Sequence, residues 1–231
     1  MTKALSILLA AAAMVATPAM AQREVNSANA NPHDRMVAAD AARTSKGDEA
    51  AKPITPLAAQ AMYNFAGCVV ETTRPGVEKL LAKDYRTAEY RKDVERLAKG
   101  HSRCAIGSRL GFSQLLFAGN LAEHLLIDEF SADALAADLA IDRSAAPIAA
   151  RTDSEAISMC IAMRAPKDTA ALFRTEVMSD AEKVALTAIG PQLSGCVKQG
   201  TEFRTNRSGL RALLALAAYR IAVTSKEGGA G

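Results

Sequence analysis

Apolar residues recur at helical spacing through most of the chain, and breaks and caps divide the pattern into segments. Thr55-Pro56 opens a helix, with Thr as cap and Pro at the first helical position. Leu57, Ala61, Phe65, Cys68 and Val69 form its apolar stripe, and Arg74-Pro75-Gly76 ends it. Val77 to Ala82 makes a short helix. Thr87 caps a longer one carrying Tyr90, Val94 and Leu97, followed by Cys104. Leu110, Phe117, Leu121 and Leu125 mark a further helix that ends near Phe130. The scheme then recurs. Ile157, Cys160 and Ile161 form a stripe, Pro166 breaks it, and Leu172 and Phe173 follow. Ser179 and Glu182 spell a capping box, in which Ser reaches the amide three residues on and Glu reaches back. Leu186 and Ile189 follow, and Leu210, Leu213, Leu214, Ala217 and Ile221 line one face of the last helix. Runs alternating Val, Ile, Thr and Tyr are absent and alanine is abundant, so the expected class is all-α.

The four cysteines give the recurrence its frame. Cys68 and Cys104 stand 36 positions apart, as do Cys160 and Cys196, and the two pairs are offset by 92. Under that offset Thr87 falls on Ser179, and Leu80 and Leu81 fall on Leu172 and Phe173. After the second cysteine the better offset is 93, which pairs Phe117 with Leu210 and Leu121 with Leu214. The reading is two tandem modules of three to four helices, residues 56–130 and 151–224. A connection of residues 131–150, Ala- and Asp-rich and partly helical, joins them. Residues 22–55 and 225–231 are expected to be disordered tails, the first because it offers little to bury.

The first 21 residues have the form of a secretory signal. Lys3 precedes the apolar run Ala4–Ala16, and Ala19-Met20-Ala21 supplies the small-x-small cleavage pattern. The run is short for a bilayer span. Cleavage after Ala21 implies a periplasmic or secreted protein, with no later segment apolar enough to span a membrane. In an oxidising compartment the cysteines read as disulfides. Four cysteines allow three connectivities, and duplication selects Cys68–Cys104 and Cys160–Cys196, one bond per module.

The charge adds little. The 28 basic and 25 acidic residues leave +3, or +2 without Lys3. That balance gives no reason to expect nucleic acid or an anionic membrane as partner. The sequence holds no HExxH, GxSxG, Walker-type loop, GxGxxG or CxxC, so no metal or cofactor is expected.

The end of the second module, from Cys196 through Gly200, Phe203, Arg204, Asn206 and Arg207 to Leu210-Arg211 and Tyr219, resembles a family of uncharacterised exported alphaproteobacterial proteins. Their pattern reads Cys, Gly, Leu-Arg-Phe-Asn-Arg, then Leu-Arg-Gly-Ala-Leu-Ala-Glu-Ala-Leu-Tyr. The first module departs from it, with Gly111 in place of the Arg. The resemblance implies a helical fold, export and duplication, and supplies no function to carry over.

Candidate functional residues are few. His33 lies in the tail, leaving His101 and His124. Asn120, His124 and Asp128 share a helix face at spacing four, opposite Leu213, Ala217 and Ile221 of the other module. Either this face is simply solvated in the first module where its counterpart is buried in the second, or the stripe lines a cleft between modules, where His124 can titrate near neutral pH with Asp128 one turn away. Lys198, Arg204, Arg207 and Arg211 lie before and within the last helix, where free amides and arginines can hold an anion. The expected function is a non-enzymatic binding or interaction module of the bacterial envelope, with an envelope protein or small ligand as partner. The alternative is a small envelope hydrolase using His124 with nearby carboxylates.

Overall fold

The structure, a computed structural model, describes residues 54–105, 113–142, 144, 147–200 and 203–228. The signal segment, most of the N-terminal tail and Leu110 lie outside the described residues. The described elements are helical, with no strand among them: α1 (Pro56–Ala82), α2 (Ala88–Gly100), α3 (Gln114–Glu129), α4 (Ala132–Leu139), α5 (Asp153–Arg164), α6 (Pro166–Leu172), α7 (Asp180–Ile189), α8 (Leu193–Cys196) and α9 (Arg207–Gly228).

Side-chain oxygens start these helices where the sequence places them. Thr55 Oγ1 accepts from Ala58 N, Thr87 Oγ1 from Tyr90 N, and Ser179 Oγ from Glu182 N. Ser113 and Asn206 cap α3 and α9 in the same way. Breaks also fall as expected. Thr73 leaves helical geometry at φ −149°, ψ 51°, so α1 runs on to Ala82 across a kink rather than ending at Arg74. Ala165, 92 positions later, has φ −125°, ψ 57° and separates α5 from α6. In both places a proline follows within two residues, and it cannot donate to the helical ladder.

The two disulfides join Cys68 to Cys104 and Cys160 to Cys196, each with Cα atoms 5.7 Å apart. Cys104 lies in a short 3-10 turn after α2, and Cys196 closes α8.

The core centres on α3 and α9, which cross, with α1 laid on α3 and α5 on α9. Phe117, Leu121, Leu125, Leu214 and Ile221 are fully buried there. The crossing is close. A Cβ on Gly119 would lie 2.5 Å from Ala212 Cα, so position 119 tolerates no side chain as built.

Three sequence readings need correction. Leu57 is 81 % exposed; the buried face of α1 runs through Ala59, Met62, Phe65, Ala66 and Val69, so Phe65 and Val69 of the expected stripe are buried and Leu57 is not. The side of the first turn that carries Leu57 faces away from the core, while Ala59 on the other side is buried. The stretch 131–150 is more than a connection, because α4 packs against α6 and α9 and buries Leu135 and Leu139. The last helix continues to Gly228, so 225–228 belong to α9 rather than to a tail. No described helix is long and apolar enough to cross a membrane.

Candidate functional site

Asn120, His124 and Asp128 share one side of α3, and that side meets α1. The His124 ring lies against Tyr63, with centroids 4.2 Å apart, and its Nε2 donates to Tyr63 O at 3.0 Å. Gly67 makes the slot: a Cβ there would stand 2.8 Å from His124 Cε1. Asp128 accepts from Arg74, which also reaches Glu129 at 3.3 Å. Asn120 is half-buried on the same side. The imidazole and carboxylate expected to act on one another thus each meet α1 within the same cystine-linked segment.

The arginines separate more sharply. Arg204 is exposed, Arg207 half-buried, and Arg211 is 2 % exposed at the α3–α9 crossing. Arg211 is fully engaged. Its Nε and Nη2 donate to the two oxygens of Glu123 at 2.8 and 2.6 Å. Nη1 donates to Glu182 Oε1 at 2.9 Å and to Thr175 Oγ1 at 3.1 Å, and Nη2 also reaches Thr175 O at 2.9 Å. The guanidinium sits 5.9 Å from the Tyr63 ring centre. Glu123 and Glu182 are fully buried. Arg207 Nε donates to the second oxygen of Glu182 and its Nη2 to Ser179 O. Two carboxylates and two guanidiniums thus form one network joining α3, α7 and α9, buried except at Arg207.

Its parts follow from local structure. Glu182 is the third residue of α7, where the capping box turns its side chain back. The carboxylate bonds Met178 N at 3.0 Å, one residue before the cap, and holds Met178 at φ 64°. That left-handed geometry is uncommon for a residue with a side chain. Glu123 is the residue sequence reasoning missed. It lies four residues after Gly119 and three before Leu126, on a face otherwise apolar. A lone carboxylate there signals a buried cationic partner, though not which one.

The environment sets the protonation of these groups. Burial alone would lower the Arg211 pKa, but Glu123 and Glu182 outweigh it and hold the group above its ordinary value. Tyr63 is raised as well, first by burial and then by Glu123. Both groups keep their protons throughout the physiological range.

A second network ties the segments on another side. Glu155 at the start of α5 accepts from Arg220 and, at 2.5 Å, from Arg151 N. Tyr85 Oη shares a hydrogen bond with Thr152 Oγ1 at 2.7 Å, and Arg151 Nη1 donates to Lys83 O at 3.1 Å. Arg151 also lies 5.7 Å from the Tyr85 ring centre.

Two surface grooves lie apart from the Arg211 network. One, of about 470 Å³, runs between the second half of α1 and α2, where Lys83 bridges Glu89 and Asp93 at 2.6 Å each. The other, of about 510 Å³, is mainly apolar and is lined by Ile141, Ile148, Met159 and Met163 among others. Among the described residues, no group of three or more His, Cys, Asp or Glu is placed to hold a metal ion. The arrangement can lock helices together and keep buried charges paired. Compared with known proteins, the chain matches no family model, no curated protein and no solved structure.

Proposed function

We propose that the chain is an exported, non-enzymatic helical module that binds a partner in the bacterial envelope, built by duplication of a cystine-linked unit. The carrying observation is the double cystine in an otherwise helical body, with the strongly charged interior groups committed to one another. Disulfides suit an oxidising compartment, in keeping with the signal-like first 21 residues. Paired interior charges suit a rigid scaffold that presents its surface.

Duplication has further support in local geometry. The kinks at Thr73 and Ala165 have similar dihedrals, 92 positions apart. The cap hydroxyls of Thr87 and Ser179 each also donate to the carbonyl three residues back, Asp84 at 2.9 Å and Glu176 at 2.6 Å. Those carbonyls also accept from the cap amides, at 3.1 and 3.2 Å. Ser113 and Asn206, 93 apart, cap α3 and α9.

The test is chemical crosslinking and recovery of the full chain from its native envelope. The expected result is an exported, fully oxidised chain cleaved after Ala21 and joined to a specific partner. A cytoplasmic chain with reduced cysteines, or an exported one recovered alone, would overturn the reading.

A further inference from the structure

The way the two segments meet points to a specific kind of interface. Head-to-tail copies would touch through different surfaces, whereas copies related by a two-fold axis touch through the same one, residue i meeting its own counterpart. Gly119 and Ala212 are counterparts under the 93-residue offset, and they meet where α3 crosses α9: a Cβ on Gly119 would stand 2.5 Å from Ala212 Cα.

The outer contacts fall at matching carbonyls. On one side, Arg151 donates to Lys83 O at 3.1 Å, beside Glu155 of α5. On the other, Arg211 donates to Thr175 O at 2.9 Å, against Tyr63 of α1. Lys83 and Thr175 are 92 apart, and so are Tyr63 and Glu155. The matching carbonyls of the two loops thus each accept from an arginine, Arg151 reaching across to the first segment and Arg211 lying with Thr175 in the second, while Tyr63 and Glu155 occupy the matching positions of the first helices beside them. Each arginine also stands near a tyrosine ring, Tyr85 at 5.7 Å and Tyr63 at 5.9 Å.

We infer that the α3–α9 contact is a fused homodimer interface: the face each segment presents is one that fits a second copy of the same unit, across an approximate two-fold axis passing near Gly119 and Ala212. The inference rests on the duplication proposed above. It does not depend on export or on an envelope partner, so its failure would leave those statements standing.

The buried charge network is then the place where the two-fold is broken. The counterparts of Glu123 and Arg211 are Leu216 and Ala118, and those of Glu182 and Arg207 are Tyr90 and Gln114. Ala118 and Tyr90 are buried and Leu216 is partly buried. One side of the axis thus carries a salt-bridged set where the other carries a largely apolar one. A charge set on one side only favours a single pairing of the halves.

The test copies residues across the axis in the full chain. The variant Glu123→Leu/Glu182→Tyr/Arg207→Gln/Arg211→Ala rebuilds the apolar side in place of the charged one. If the axis exists, this variant stays monomeric with both cystines and melts within about 5 °C of wild type, while Arg211→Ala alone loses far more. A quadruple variant that unfolds, or melts below the single one, overturns the inference. The exchange Gly119→Ala/Ala212→Gly gives a second reading: it should recover most of the loss caused by Gly119→Ala alone, and no recovery would also overturn the axis.

Discussion

The cystine-linked segments 56–130 and 151–224 bury different chemistry at positions 92 apart. The first has Val77 and Tyr90 in its core where the second has Thr169 and Glu182, all of them buried. Tyr63 lies on the α1 face where α5 carries Glu155. The helical frame therefore specifies a location and a volume and leaves polarity open, on one condition. A buried polar group must find a partner, or it costs stability. Glu182 meets Arg211, Arg207 and Met178 N, and Glu155 meets Arg220 and Arg151 N. Thr169 does not meet the condition, for its Oγ1 is buried without a hydrogen-bond partner.

The largest expected effect tests the charged side of this contrast. Arg211→Met removes the cation shared by Glu123 and Glu182 and should cost about 3–5 kcal/mol, the usual penalty for stranding a buried charge. Urea denaturation measures it. A loss below about 1 kcal/mol would mean the carboxylates escape to water or bind protons without strain, and the segments would differ less than their interiors suggest.

The cystines come next. Each closes a loop of the same length, with a sequence separation of 36. Chain entropy assigns each about 3–4 kcal/mol through the unfolded state. Cys68→Ser/Cys104→Ser and Cys160→Ser/Cys196→Ser should therefore destabilise to a similar degree. A strong inequality would show that one loop keeps structure when unfolded, and would break the parallel between the segments.

Thr169→Val is expected to stabilise by about 1 kcal/mol, because it removes an unpaired buried hydroxyl while keeping the side-chain shape. It copies Val77 into the second segment. A destabilised variant would mean that water or a shifted helix satisfies the hydroxyl in solution.

The smallest effect belongs to Asp84, which Arg86 holds by side-chain hydrogen bonds against a smaller opposing effect of burial. Its pKa falls from 3.8 to about 2. A depressed folded pKa adds stability above the unfolded value and loses it as pH falls through the folded one. The wild-type advantage over Asp84→Asn should thus be full above about pH 4 and fade towards pH 2. The pair is about one-third exposed, so solvent screening keeps it under about 1 kcal/mol. Denaturation midpoints at neutral and acid pH would show it. An advantage that persists at pH 2 would place the stabilisation elsewhere than in this ion pair.

The candidate site was legible only in fragments. Asn120, His124 and Asp128 do share a face of α3, but spacing along one helix says nothing of which neighbour covers that face. Tyr63, Gly67 and Arg74, all on α1, decide it. Arg211 was visible as one of several basic residues. Its burial was not, because the partner carboxylate of Glu123 lies 88 positions away in sequence.

By itself the sequence determined what local chemistry controls: the all-helical class, the caps at Thr55, Thr87 and Ser179, the breaks near Pro75 and Pro166, and a frame of two equally spaced cysteine pairs. These depend on contacts within a few residues, or on a spacing written in the chain. The tertiary structure alone decided that Leu57 faces solvent, that α4 belongs to the core, that α3 and α9 cross at Gly119, and that Glu123 and Arg211 meet there. Each of those outcomes depends on which surfaces exclude water together. That is set by helices far apart in sequence finding one packing, and no local pattern encodes it.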